Sequence, residues 1–204
     1  MKGPLYDIVE KPEFISFEAV QETIRVAHES NTEKGLLYAT ASQSVDTLKK
    51  KIGDGVCYVA LDRATGSVVG TVTLGIRPLH YWYVNEIVAI IKLLAVHPDY
   101  KGGGISKALV DHCIDCAKQR GINIVVSDSA EQNAIIRNLF TKSGFLIVDY
   151  GLYAANNFYT TVYAKWLRSC PYPSWYRRLR YRLKWCYIRA LYKPRKIKRF
   201  GQKD

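Results

Sequence analysis

Val96-His97-Pro98-Asp99-Tyr100-Lys101-Gly102-Gly103-Gly104-Ile105-Ser106-Lys107-Ala108-Leu109 is the stretch around which the rest of the chain organises itself. An apolar strand ends at a proline, which has no N–H to continue a ladder. Three consecutive glycines then let backbone amides turn inward around an anion, and a helix opening at Ile105 adds its unpaired first-turn N–H groups and positive dipole end. Lys101 and Lys107 can bring charge to the same place. The plainer reading is a glycine-rich strand–helix turn with no ligand, and the stretch alone does not separate the two. It is not a nucleotide P-loop, because the G-x-x-x-x-G-K-[ST] spacing is absent, and it does not fit G-x-G-x-x-G followed by a ribose-binding acid.

Upstream of the cradle, Glu86–Val96 reads as a long buried strand. Val56–Leu61 and Ser67–Ile76 read as a hairpin joined by the turn-rich Asp62–Gly66. Leu5–Val9 gives a first strand. Phe17, Val20, Ile24 and Ala27 follow helical spacing behind Ser16 as cap, and Val45, Leu48 and Ile52 mark a shorter helix. Downstream, Ile105, Leu109, Cys113, Cys116 and Ala117 form the buried stripe of the cradle helix, which Gly121 ends. Ile122–Val126 is then a short strand, Asn133–Lys142 a helix, and Phe145–Tyr150 and Phe158–Trp166 two more strands. The βαβ unit over 86–126 requires two parallel neighbours, while the flanking hairpins require antiparallel ones. The expected fold is α/β, with a mixed, mostly antiparallel sheet flanked by helices.

At the cradle the chain resembles the GNAT family of N-acetyltransferases. That family's pyrophosphate loop reads Arg/Gln-x-x-Gly-x-Gly/Ala after a V-x-P-like strand end, and here the positions are Lys101, Gly102, Gly103, Gly104, Ile105 and Ser106. Lysine replaces Arg/Gln, and serine replaces the small last residue. A second part of the resemblance is Asn133-Ala-Ile-Ile-Arg-Asn-Leu-Phe140-Thr-Lys-Ser-Gly144-Phe145, close to the family's Asn-x-x-x-x-x-Leu-Tyr-x-x-x-Gly-Phe. The resemblance covers about Leu5–Trp166. It implies parallel central strands four and five that splay apart, with acetyl-CoA or another acyl-CoA as co-substrate and no metal. It also implies pantetheine along Leu94, Ala95 and Val96 and the pyrophosphate on Lys101–Ser106, with Lys107, Asn133 and Phe140 beside it.

The activity implied is acyl transfer from CoA to a primary amine by direct attack in a ternary complex, an N-acyltransferase. Such chemistry needs a base for the amine, polarisation of the carbonyl and a proton for the leaving thiolate. Many family members donate that proton from a tyrosine where this chain has Phe140. Tyr153, Tyr159 or Ser129 can substitute, or the thiolate leaves assisted by water or backbone; otherwise the chain is a catalytically impaired module that holds acyl-CoA without turnover and is tethered to membrane or nucleic acid by its basic tail. Glu86, at the start of strand four, is the first candidate base, with His80 and His97 behind it. Each also reads as an ordinary strand-end or turn residue. Lys92 puts a charge inside an apolar strand, where it needs a partner or a water-filled cleft. The acceptor site is expected between the early helices, the aromatic segment Pro78–Asn85 and the connection Tyr150–Asn157, whose rings can equally pack a loop or a dimer contact.

The chain has 204 residues and a net charge of +12. Thirteen of its thirty Lys and Arg, but one of its eighteen Asp and Glu, fall after Lys165, so the first 165 residues carry seventeen of each sign. A division follows into an acyltransferase domain over 1–166 and a basic aromatic extension over 167–204, with a helix near 174–192 capped by Ser174. On that helix Leu179, Leu183, Cys186, Tyr187 and Ala190 share one face, and Tyr181, Trp185, Ile188 and Tyr192 a second. One stripe docks on the domain and leaves the other for a partner: an anionic membrane surface met through 174–200, nucleic acid, or a sister subunit in a homodimer. Signal-peptide features are missing at the N-terminus, and the longest apolar run, Ile87–Val96, is too short to span a bilayer. The expected location is the cytoplasm, with peripheral attachment to a membrane through the tail; the acceptor is then a small-molecule or lipid-linked amine. The five cysteines give no even framework, and Cys113-x-x-Cys116 reads as buried thiols on a helix rather than a metal or redox pair.

Overall fold

The computed structural model describes residues 5–33, 35–153 and 157–193. Its elements run β1 (Tyr6–Glu10), α1 (Phe17–Glu33), α2 (Val45–Ile52), β2 (Val56–Asp62), β3 (Val68–Tyr81), β4 (Val84–Val96), a 3-10 turn (Pro98–Tyr100), α3 (Ile105–Gln119), β5 (Ile124–Ala130), α4 (Ala134–Lys142), β6 (Leu146–Leu152), β7 (Tyr159–Trp166) and α5 (Ser174–Leu191). The seven strands lie in the order β1-β2-β3-β4-β5-β7-β6. Only β4 and β5 are parallel; every other pair is antiparallel. The mixed sheet expected from the sequence is therefore present, with its parallel pair at the centre.

Alternation along the strands divides the core into two layers. On one face Tyr58, Ala60, Val72, Leu74, Ala89, Ile91, Val125 and Tyr163 pack under the apolar stripes of α3 and α4. On the other face there are two separate clusters. Cys57, Val59 and Ala95 lie beneath Val20, Ile24, Leu48 and Ile52 of α1 and α2. Leu79, Val88, Ile124, Val126 and Val162 form the second, sealed by Trp82, Cys170 and Tyr172. Gly70 sits where α3 presses closest, since an added Cβ would stand 2.9 Å from Cγ2 of Ile105.

Three elements depart from the sequence reading. β3 runs on to Tyr81, so Pro78 is inside a hairpin opposite Ile87 rather than in a loop. β5 continues past Val126 to Ala130, taking in Ser127-Asp128-Ser129, a polar run that resembles a turn but pairs with β7. Ser174 begins α5 but does not cap it; Pro173 holds the cap position, with no side-chain hydrogen bond.

Edge strand β6 would expose a row of unpaired backbone groups, and α5 lies against it. Lys184 Nζ pairs with Oδ2 of buried Asp149 at 2.8 Å, and Trp185 Nε1 donates to Glu131 Oε1 at 2.9 Å. Arg189 pairs with Glu131 at 2.6 Å, and Arg180 lies over the Trp82 ring. No helix among the described residues is long and apolar enough to cross a membrane.

Candidate active site

The site begins with a fault in β4. Between Thr71 and Thr73 the partner of β3 moves from Ala95 to Lys92, so β4 carries one extra residue. Leu93 takes up that residue with φ 57°, in the left-handed region that a leucine rarely enters. Such a bulge bends the strand and frees backbone groups from the ladder. Pairing of β4 with β5 is correspondingly limited to Ala89 with Val125 and Ile90 with Val126. Ser127 Oγ closes the base of the fork by donating to the Ile91 carbonyl at 3.0 Å. Beyond it a cleft of about 920 Å³ opens through the sheet.

On the α3 side the cleft ends in the glycine cradle. Gly102 and Gly104 have φ of 85° and 78°, which aims successive amides to one side. A Cβ on either would project into open space. Among the described residues, the amides of Gly102, Gly104, Ile105, Ser106 and Lys107 have no backbone partner. A concave run of free amides at a helix N-terminus fits a pyrophosphate, and Lys101 and Lys107 also border it. Lys107 is shared with Asp111 one turn along. His28, on α1, also lines this cleft; burial first, and then the Lys101 charge, push its imidazole down to about 4.

On the opposite face, the strip between the two core clusters is polar. Arg77 from β3, Lys92 from β4, Lys51 at the end of α2 and Asp128 from β5 all line the opening. The Lys92 ammonium donates to the carbonyls of Lys51 and Ile52, the second at 3.2 Å, at the negative end of the α2 dipole. Desolvation, then the charge of Arg77, lower its proton affinity. Lys92 thus has a protein partner as well as a cleft. Asp128 retains accessible surface but stands inside the concavity, and loss of water around it raises its carboxyl above the usual range. The Tyr153 phenol is pushed up to about 12 by burial and by the nearby Asp128 charge.

A strap formed by the α1–α2 connection crosses the cleft. Leu37 N donates to Asn157 Oδ1 and Asn157 Nδ2 to the Gly35 carbonyl, each at 2.8 Å, which ties the strap to the start of β7. Tyr38 stacks on His28 at 4.4 Å and lies 4.7 Å from Phe158, with its hydroxyl 3.2 Å from Asn133 Nδ2. Asn133 meanwhile caps α4, accepting from Ile136 N at 3.1 Å.

The cleft wall brings together Leu94, Ala95, Val96, Lys101, Gly102, Gly104, Ile105, Ser106, Lys107, Asn133 and Phe140, with Gly103 in the same loop. Phe140 is buried against Phe145 and Tyr163. Glu86 is not brought in: it is exposed opposite Leu79, on the side of Ala89 away from the fork. His80 bonds Asn85 across the hairpin at 2.5 Å, and His97 caps the turn before the cradle. Tyr159 donates to the Tyr192 carbonyl at 2.8 Å, whereas Ser129 lines the cleft. Trp82, expected near the acceptor, instead packs on Tyr172 and Tyr176 beside α5. Part of the connection expected to wall the acceptor, 154–156, lies outside the described residues. Sequence reasoning missed Asp128, Tyr38 and His28. The only signal for Asp128 was its place two residues beyond an apolar strand; Tyr38 and His28 carried none.

A sheet opened between two parallel strands above an amide cradle is the arrangement that the resemblance to the N-acetyltransferases implied. The model of the acetyltransferase (GNAT) family matches residues 19–145, and the chain belongs to that family. It is 28% identical over 114 residues to the glucosamine 6-phosphate N-acetyltransferase of Trypanosoma brucei brucei, covering 56% of this chain and 74% of the relative. Among solved structures, an Acinetobacter baylyi chain assigned as an acetyltransferase superposes with a TM-score of 0.62 at 21% identity, covering 83% of this chain and 97% of that one. A Salmonella typhimurium chain solved with its cofactor acetyl-CoA gives 0.60 at 17% identity, covering 83% and 98%. These two likenesses are of fold.

Proposed function

We propose that the protein transfers an acetyl group from acetyl-CoA to the primary amine of an acceptor that also carries an anionic group. The observation that carries this reading is the two-ended cleft: an anion-binding amide cradle on one face of the sheet, and Arg77, Lys92 and Asp128 together on the other. A phosphorylated amino sugar, the acceptor class named for the Trypanosoma brucei brucei relative, has both required groups.

Acetyl-CoA supplies the thioester carbonyl; the amine nitrogen bonds to that carbon as the carbon–sulfur bond breaks. Asp128 takes the proton that the amine loses, and the raised proton affinity of its carboxyl supports that role. Arg77 and Lys92 hold the acceptor's anionic group, leaving its amine free to reach the fork. The backbone freed by the bulge at Leu93–Leu94 polarises the carbonyl. Tyr38 gives the departing sulfur its proton: its oxygen can accept from Asn133 Nδ2, which leaves its own hydrogen to donate. This replaces the proton source that Phe140 lacks. No cysteine is among the described residues lining the cleft, which favours direct transfer in a ternary complex.

The test is thiol release from acetyl-CoA, with product mass spectrometry, across paired amines with and without a phosphate. Turnover is expected with glucosamine 6-phosphate or another phosphorylated amine, and at least tenfold less kcat/KM with its unphosphorylated partner. Tight acetyl-CoA binding without turnover on any amine would instead support the non-catalytic module.

A further inference from the structure

The helix α5 has two apolar stripes, and the structure decides which of them faces the domain. The ring-rich stripe is turned inward: Tyr181 and Trp185 lie by Tyr150, and Trp185 bonds Glu131. The more aliphatic stripe is turned out. Trp175 is 65% exposed, Leu179 48%, Leu183 62%, Tyr187 57% and Leu191 61%, one residue per turn along the whole helix. From Trp175 to Leu191 that makes a line about 24 Å long. Arg178 and Arg182 flank it on one side, exposed and with no ion pair among the described residues. Arg180 flanks it on the other, and α5 contains no acid.

We infer that the outward face of α5 is a docking surface for an anionic lipid bilayer, lying in the plane of the interface. Aliphatic side chains would enter the acyl boundary, while arginines on both flanks meet lipid phosphates and Trp175 and Tyr187 sit at headgroup depth. Charge argues against a second copy, because pairing two such faces would set arginine rows against each other. Side-chain placement argues against single-stranded RNA, whose bases need stacking platforms. Tyr176, Tyr181 and Trp185 are committed to the domain, and the two rings of the exposed line, Trp175 and Tyr187, stand about three turns apart with leucines between them.

Flotation of the full chain with phosphatidylcholine vesicles, alone or with 30% phosphatidylglycerol, in about 150 mM salt tests this inference. Binding to the anionic vesicles is expected, with at least tenfold weaker binding to neutral ones. Leu179→Glu with Leu183→Glu should reduce anionic-vesicle binding at least tenfold while leaving the melting temperature and the activity unchanged. Arg178→Gln with Arg182→Gln should reduce it several-fold. Three results would overturn the inference: no binding to either vesicle, undiminished binding by the leucine double variant, or a concentration-dependent dimer that the same variant dissolves. The activity assay is independent of all three.

Discussion

Tyr38 Oη lies 3.2 Å from Nδ2 of Asn133, 95 residues further along the chain, and this bond joins the α1–α2 strap to the cap of α4 across the mouth of the cleft. The tyrosine is sandwiched between His28 and Phe158, so its hydroxyl has little freedom. A proton donor held in this way can serve the leaving sulfur without coming from α4 itself.

Tyr38→Phe is therefore expected to lower kcat by about 10²-fold, the scale of a lost general acid. The KM for acetyl-CoA should change little, and the melting temperature should hold, because the ring contacts remain. Asn133→Ala should in addition cost about 1 kcal/mol of stability through the lost cap. Steady-state thiol release and a thermal melt distinguish the two variants.

Asp128 makes an opposite pair of demands on stability and activity. Its folded-state carboxyl is raised by desolvation, so the native protein binds that proton more readily than the unfolded chain does. The stability this contributes is present below the ordinary aspartate range and is lost as pH rises through the raised value. Asp128→Asn should accordingly match or exceed the wild type in stability at pH 7 while losing about 10²-fold or more in kcat/KM. In the wild type the acidic limb of kcat/KM should lie above the ordinary carboxylate range.

His28 gives a stability signature in acid. Burial and Lys101 depress its imidazole to about 4, so between its ordinary 6.5 and about 4 the unfolded chain binds a proton that the native state refuses. Denaturation midpoints should fall as pH drops through that window, and His28→Gln should flatten this slope.

Gly102→Ala and Gly104→Ala separate backbone conformation from space. The added methyl meets no protein atom within 4 Å, yet φ of 85° and 78° disfavours it, at about 1 kcal/mol or more each. Relaxing either dihedral would turn the neighbouring amides out of the cradle. The KM for acetyl-CoA should rise about tenfold or more, with only a small fall in melting temperature; an unchanged KM would remove the cradle from the site.

Arg77→Gln isolates acceptor recognition. Its side chain is exposed, so stability should be unaffected. The KM for a phosphorylated amine should rise about tenfold, while that for the unphosphorylated amine stays put. Equal effects on both would argue against an anionic acceptor.

The geometry of the glycine cradle was legible in the chain because it depends on local rules. Gly102 and Gly104 supply dihedrals that other residues disfavour, and a helix N-terminus supplies free amides wherever it occurs. The element order around Glu86–Val126 likewise required a parallel pair. The polar strip on the opposite face was not legible. Ser127-Asp128-Ser129 has turn-like composition, yet it is strand because β7 supplies its hydrogen bonds. Glu86 drew notice as a carboxylate at a strand start, but it stands exposed opposite Leu79, on the side of Ala89 away from the fork.

By itself, then, the sequence determined the sheet, the cradle at Lys101–Ser106, and a basic helix with two apolar stripes. Each follows from periodicity, glycine dihedrals or charge counted along the chain. Only the tertiary structure decided that Asp128 faces the fork, that Tyr38 bridges it, and which stripe of α5 remains outside. Those outcomes depend on a one-residue bulge at Leu93 and on which rings Trp82, Tyr150 and Glu131 draw inward, and contacts between distant segments carry no local signature.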